Sequence, residues 1–349
     1  MINILIADDS ETETILLTHI FQKEKDMRVI GCAKNGKEAV DMAVNLKPDL
    51  ITMDINMPIL NGFEATRLIM MSNPIPIVVI SSTVNDLNLN TTFLALEAGA
   101  LSVLAKPVDA LNPLFLPTCK RMITLIRSMA EIKVIKRRFT IGQASHKSPV
   151  LLSQEFQGME YEIVAIGSSV GGPQALKIIL SQLPADFSVP IVIVQHMTPG
   201  FIEGLCQWLD LYCPLTIKCA SNQEVLRGGT VYFAPDKYHL KIQRTRTDLV
   251  ALLQEGESVS GFYPSITVLL ESIAKTCGKN AIGMLLTGMG SDGANGLFDV
   301  KSNKGHTLIQ DSASCIVFGM GGVAQSLGAV DKIVELDQIA DYLIKIINY

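Results

Sequence analysis

Short, uninterrupted apolar runs recur along this chain, and most are followed by a stretch with helical periodicity. An apolar run without polar alternation suits a strand covered on both faces, the kind found in a parallel sheet. Parallel neighbours need a crossover connection, which a helix usually supplies. The pattern therefore confines the chain to α/β architecture before any motif is considered. Its 349 residues are enough for two domains.

The pattern occurs in two blocks. In the first, strands are predicted at 2–7, 27–32, 50–53, 77–81 and 102–104, with helices at 12–23, 37–46, 62–71 and 90–98. Five such units make a five-stranded, doubly wound, flavodoxin-like domain over residues 1–125. The second block, 157–349, opens with a strand at 161–166. It continues with strands at 191–195, 230–234, 281–286 and 307–310 and helices at 264–276 and 336–347. This reads as a doubly wound, mostly parallel, Rossmann-like α/β domain. Between them, 126–156 reads as a linker. Lys120, Arg121, Arg127, Lys133, Lys136, Arg137, Arg138 and Lys147 accumulate around it, and Gly142, Ser145, Ser148 and Pro149 break any helix. It lacks the interleaved aromatics of a nucleic-acid arm.

Charge and composition remove several function classes. Lys and Arg total 29 against 34 Asp and Glu, a net charge of −5, which disfavours an electrostatic grip on nucleic acid. No apolar run approaches the ~20 residues of a membrane span, and Met1-Ile2-Asn3-Ile4 does not open a secretory signal. The seven cysteines are odd in number and never spaced Cys-x-x-Cys, so they read as buried small hydrophobes in a reducing cytoplasm.

In an open parallel sheet, ligands bind beyond the carboxyl ends of the strands. In the first block those ends are acidic: the first strand runs into Asp8-Asp9 and the third into Asp54. Three converging carboxylates repel one another and call for a hard cation such as Mg²⁺. The fourth strand ends in Ser81-Ser82 and the fifth in Lys106-Pro107. Carboxylate, metal, hydroxyl and lysine are the parts needed to form and hold an acyl phosphate.

The segments Ile6-Ala7-Asp8-Asp9-Ser10, Met53-Asp54-Ile55-Asn56-Met57-Pro58, Asn61-Gly62, Ser81-Ser82 and Lys106-Pro107 resemble the receiver domain of two-component response regulators. The resemblance implies that Asp54 is the phosphoacceptor. Asp8, Asp9, Asp54 and the carbonyl of Asn56 would hold Mg²⁺. Ser81, with Ser82 as the alternative in register, would contact the phosphoryl group and Lys106 would pair with it. The Lys106–Pro107 bond would be cis.

In the second block, Gly167-Ser168-Ser169-Val170-Gly171 matches G-x-S-x-G between a strand and a helix. A dinucleotide fingerprint would need Gly at position 169; a helix cap without chemistry is the other alternative. A serine nucleophile needs a base. Among His19, His146, His196, His239 and His306, only His196 follows a second-block strand directly, at the rim that carries Ser169. His239, in a turn, and His306, entering a strand, read as structural. Asp292 lies in the glycine-rich loop after the strand at 281–286 and would orient His196. The glycines of that loop free backbone N–H groups, so Met289 can line an oxyanion hole.

Five stretches then resemble the catalytic domain of the chemotaxis protein-glutamate methylesterases, the CheB family. They are Ile166–Gly172, Gln195-His196-Met197 with Pro199-Gly200-Phe201, Val231–Pro235, Leu286–Ala294 and Gln310–Met320. The resemblance implies Ser169 as nucleophile, His196 as base and acid, Asp292 as its partner and the Met289 N–H as oxyanion donor. It implies demethylation of glutamyl γ-methyl esters and deamidation of glutamines on the cytoplasmic region of a chemoreceptor. A histidine kinase would donate the phosphoryl group, and the receiver half would cover the hydrolase rim until Asp54 is phosphorylated. No cofactor is implied for the ester hydrolysis. The alternative is a regulator that acts by binding, with a hydrolase-like docking module. Three positions depart from the family pattern: Val170 for Thr, Thr267 for Asp, and Gly321 for Pro in a loop.

Overall fold

The computed structural model describes residues 1–81, 93–107, 115–132 and 160–347. The chain divides into two compact units, Met1–Ser145 and His146–Tyr349, each with a parallel sheet of its own.

The first sheet contains β1 (Ile2–Ala7), β2 (Met27–Ala33), β3 (Leu50–Met53), β4 (Ile77–Ser81) and β5 (Ser102–Ala105) in the order β2-β1-β3-β4-β5. Every pairing is parallel. Strands β3 and β4 are buried along their whole length, which is why they carry no polar alternation. The helices are α1 (Glu11–Gln22), α2 (Gly36–Leu46), α3 (Gly62–Ser72) and α4 (Phe115–Ala130). Ser10, Asn35 and Asn61 cap the first three, each accepting from a backbone N–H three residues on. Residues 93–98 are helical; the rest of the helix predicted at 90–98, with Ser82, lies outside the described residues. So does the basic stretch from Lys133 to Lys147.

Helix α4 runs past residue 125. It buries Ile126 and Met129, and Arg127 donates to Asp26 (2.6 Å) and Glu24 (3.1 Å) of the same unit.

The second unit runs β6 (Ile163–Ser168), α5 (Gly172–Leu180), β7 (Ile191–Gln195), α6 (Ile202–Asp210), β8 (Thr216–Cys219) and β9 (Thr230–Phe233). A hairpin follows, β10 (His239–Thr245) with β11 (Asp248–Gln254), then α7 (Ile266–Cys277), β12 (Ala281–Leu285) and α8 (Ala294–Ser302). The chain continues through β13 (His306–Gln310), α9 (Met320–Ser326) and β14 (Lys332–Val334) to α10 (Ile339–Ile347). Seven strands form a sheet in the order β14-β13-β12-β6-β7-β9-β8, all parallel. From β6 the chain builds outward through β7, then returns to place β12 on the other side of β6. The crevice beyond β6, β7 and β12 is therefore the topological switch point. Helix α7 buries Ile266, Leu269, Leu270 and Ile273 in the core beside β6 and the hairpin.

The hairpin was not anticipated from the sequence. His239, expected in a turn, opens β10 and is buried. The final helix, predicted from 336, begins with a 3₁₀ turn at Leu336–Gln338. All seven cysteines are unpaired. Cys119, Cys206 and Cys277 are buried as expected, whereas Cys32 is exposed. Among the described residues no helix is long and apolar enough to cross a membrane.

Because α4 contributes Ile126 and Met129 to the first core, a fragment ending at residue 132 should be more stable than one ending at 125. Two buried side chains correspond to about 3–6 kcal/mol. Urea unfolding of the two fragments measures the difference.

Candidate functional site

Asp292 follows β12 and is fully buried, 0% exposed. A carboxylate there would take a proton unless donors met it. They come from the N-terminus of α7. The Ser265 hydroxyl (2.8 Å), the Thr267 hydroxyl (2.7 Å) and the Thr267 N–H (3.1 Å) donate to Oδ1, and the Ile266 N–H donates to Oδ2 (2.7 Å). Its neighbour Gly293 adds an N–H to Oδ1 (3.0 Å). Unpaired amides and the helix dipole favour negative charge at this position. Burial pushes the Asp292 carboxyl up, but the His196 ring, the Thr267 hydroxyl and the Ile266 N–H more than offset it, holding the group at about 2.

His196 follows β7 directly. Its backbone N–H donates to the Ser168 carbonyl (2.9 Å), continuing the β6–β7 pairing. Its ring Nε2 lies 2.9 Å from Asp292 Oδ2, and its side chain is only 3% exposed. An ionised carboxylate accepts, so Nε2 carries the hydrogen and Nδ1 keeps the lone pair. The Phe262 ring stacks on the imidazole, with centroids 3.8 Å apart and planes within 2°.

Ser169 follows the last residue of β6 and is 8% exposed. Its N–H donates to the Thr287 carbonyl (3.1 Å), and its carbonyl accepts from Gly172 (2.9 Å) and from the Gln195 side chain (2.8 Å). The Gln195 amide also accepts from the Ser168 hydroxyl (2.7 Å) and donates to the His196 carbonyl (2.8 Å). One buried amide thus ties the serine turn to the histidine turn. Gly172 makes room for it: a Cβ there would lie 2.0 Å from Gln195 Oε1. Gly288 brings the third loop in, since a Cβ there would lie 2.7 Å from the Ser169 Cβ. Met289, next along, is half-buried beside this contact.

Of the departures from the family pattern, Val170 is buried and its carbonyl accepts from the Thr287 hydroxyl (2.9 Å). Thr267 donates to Asp292 and accepts from the Gly293 N–H (2.8 Å). Gly321 lies in the first turn of α9 rather than in a loop. Sequence reasoning did not single out Gln195, Phe262, Ser265 or Thr287. Gln195 and Thr287 sit inside matched stretches, and Ser265 sits in the Pro264-Ser265-Ile266-Thr267 stretch that departs from the family's Pro-Ser-Val-Asp at Thr267 and opens a helix-start pattern; Phe262 carried no signal.

In the first unit Asp8, Asp9 and Asp54 each offer a carboxylate oxygen, all within 4.8 Å of one another. Asp8 and Asp54 are buried and Asp9 is exposed. Burial first, then the Asp8 charge, push Asp54 up to about 6, against the pull of Lys106. Lys106 Nζ lies 2.9 Å from Asp8 and 3.5 Å from Asp54. Burial pulls its ammonium down, but the Asp8 hydrogen bond and the Asp54 charge outweigh that and keep it charged. Ser81 ends β4, and its carbonyl accepts the Lys106 N–H (2.9 Å). Asn56 is exposed in the loop after Asp54. The cis peptide among the described residues is Tyr263–Pro264; Lys106–Pro107 is trans, contrary to expectation. Oxygen donors alone, with one carboxyl raised by burial and crowding, fit a small hard cation.

Fold and site together define a class: a response-regulator receiver joined to an α/β domain of the serine-hydrolase type. The family model for the response regulator receiver domain matches residues 4–112, and that for CheB methylesterase matches 164–343. A protein-glutamate methylesterase/protein-glutamine glutaminase of Nitrosospira multiformis is 41% identical over 348 residues, 99% of this chain and 97% of the other. One from Methanospirillum hungatei is 42% identical over 330 residues, 94% and 93% of the two chains. The catalytic domain of Thermotoga maritima CheB methylesterase superposes with a TM-score of 0.52 at 36% identity, covering 53% of this chain and 98% of that one. The chain belongs to the CheB methylesterase family.

Two measurements test these environments. The Asp292 carboxyl is lowered on folding, so its contribution is complete above about pH 4 and lost as pH falls through about 2. Asp292→Asn should therefore flatten the acid limb of the second unit's stability curve, a change of about 2 kcal/mol between those limits. Asp54 behaves oppositely: its raised value costs stability as pH rises from about 4 through 6. In chelator at pH 7, Asp54→Asn should raise the first unit's melting temperature, by the equivalent of about 2–3 kcal/mol. That gain should vanish below pH 4.

Proposed function

We infer that this chain is a protein-glutamate methylesterase and protein-glutamine glutaminase that acts on chemoreceptors and is regulated by phosphorylation of its receiver domain. The observation that carries the reading is the buried His196–Asp292 pair at the switch point, one strand away from Ser169. Similarity along nearly the whole chain to proteins bearing that name supports it.

Ser169 is the nucleophile. His196 Nδ1 takes its proton as Oγ bonds to the γ-carbonyl carbon of a glutamyl methyl ester. Asp292, already charged, stabilises the imidazolium. The Met289 N–H donates to the oxyanion. The imidazolium returns its proton to the leaving methoxide and methanol departs; from glutamine, ammonia departs instead. Water, deprotonated by the same ring, then hydrolyses the acyl-enzyme to glutamate and free serine.

In the receiver, Asp54 accepts the phosphoryl group from a histidine kinase. Asp8, Asp9, Asp54 and the Asn56 carbonyl would hold Mg²⁺, which would supply charge neutralisation there. Ser81 and Lys106 contact the transferred group. The ester hydrolysis takes no cofactor. The substrate is the cytoplasmic region of a methyl-accepting receptor, so the reaction belongs in the cytoplasm, without membrane insertion or nucleic acid.

Methanol release from a methylated receptor fragment, with and without acetyl phosphate, tests the whole reading. Ser169→Ala should abolish release while Asp54 still takes phosphate. Asp54→Asn should keep basal release and lose the response to acetyl phosphate. A regulator that only binds would release no methanol and leave Ser169 unlabelled by a fluorophosphonate.

A further inference from the structure

Phe262 belongs to none of the motifs. Its ring lies face to face with His196, 3.8 Å between centroids and 2° from parallel. The contact is built into the backbone. Val259 and Phe262 exchange two N–H···O bonds of 3.0 Å across a two-residue turn, with φ +55° at Ser260 and +81° at Gly261. Both positive values mark the hairpin turn that matches strand twist. Three residues further on, Ser265, Ile266 and Thr267 grip Asp292. One short segment thus supplies the ring on the face of the imidazole and the donors that fix the carboxylate at its edge.

We propose that Phe262 is a positioning residue for the reaction: its π-face holds the His196 ring in plane and stabilises the imidazolium formed when that ring takes the Ser169 proton. This rests on the reading of Ser169 as nucleophile and His196 as base. The His196 side chain is 3% exposed, so a charge arising on it has little water to solvate it. Asp292 compensates in the plane of the ring. Phe262 compensates above it, because the negative face of an aromatic ring attracts a cation within about 6 Å of its centroid. Proton transfer here creates the cation and consumes none: Oγ–H breaks, Nδ1–H forms, and the oxygen's electron pair goes to the carbonyl carbon. Attraction to the ring is therefore greater in the transition state than in the resting enzyme, and acts on rate rather than on substrate binding.

Stepwise fluorination of Phe262 in the full chain separates this from simple packing. Mono-, di- and trifluoro-phenylalanine nearly keep the shape of the ring while weakening its negative face. The readouts are the rate of Ser169 labelling by a fluorophosphonate and kcat and KM for methanol release. The labelling rate and kcat should fall with each fluorine, by about tenfold in total, with KM unchanged. Phe262→Leu should lose at least as much, and Phe262→Trp should restore most of it. The buried Trp208, the chain's single tryptophan, reports folding of the fluorinated and Leu variants by its fluorescence, and far-UV circular dichroism reports that of Phe262→Trp. A flat fluorine series in folded protein overturns the proposal. Failure of the unsubstituted protein to label removes the serine-nucleophile reading itself, and the proposal with it.

Discussion

The hydrolase half turns on one buried ion: the Asp292 carboxylate seated at the N-terminus of α7. Donors from Ser265, Ile266, Thr267 and Gly293 keep it charged. Ser265 caps the helix and donates to it, and Thr267 bridges it to Gly293. Behind Ser265 stands His239, whose Nδ1 accepts the Ser265 N–H (3.2 Å) while its Nε2 donates to the Glu257 carbonyl (2.9 Å). A second histidine, remote from the reacting atoms, is thus part of the scaffold that holds the first one's partner. Removing any one donor from so dry a pocket leaves a buried charge less satisfied, which costs more than an exposed hydrogen bond would.

The two halves place carboxylates at strand ends to opposite effect. Asp292 sits among N–H and O–H donors and is held at about 2. Asp54 sits among other carboxylates with the Lys106 ammonium nearby and is pushed to about 6. The first environment makes a permanent anion that can orient a base. The second makes a carboxyl that keeps its proton to higher pH, in a cluster where a small hard cation would offset the crowded charge. The difference lies in what surrounds the side chain, which the residue type alone does not reveal.

Much of this was legible in the sequence because it depends on local pattern. Continuous apolar runs located β1, β3, β4, β7 and β12 within a residue or so, and polar residues directly after β1, β3 and β7 marked Asp8, Asp54 and His196, while the G-x-S-x-G pattern after β6 marked Ser169. The hairpin β10–β11 escaped because its alternation, Leu240 and Ile242 against Leu253 and Ala251, is short and interrupted by charged residues. Phe262 and Ser265 escaped for a different reason. Ser265 meets Asp292 only once α7 is laid against the loop after β12, and Phe262 meets His196 only once its own turn is laid against the end of β7, far earlier in the chain. The departure at Thr267 read as a lost carboxylate. Seen in place, it is a hydroxyl that faces Asp292, where a second negative charge would be repelled.

The pairing of β6 with β7 has a consequence for how the proposed catalytic spacing is maintained. Ser168 pairs with Gln195, and the next bond joins the His196 amide to the Ser168 carbonyl. The backbone spacing of the Ser169 and His196 turns is thereby set by the distance between neighbouring parallel strands, about 4.8 Å, rather than by the length or suppleness of any connecting segment. A ruler of that kind is shared with the rest of the sheet and cannot drift alone. Insertions in the long excursion between the two ends of the motif, from α5 to β7, leave the gauge untouched.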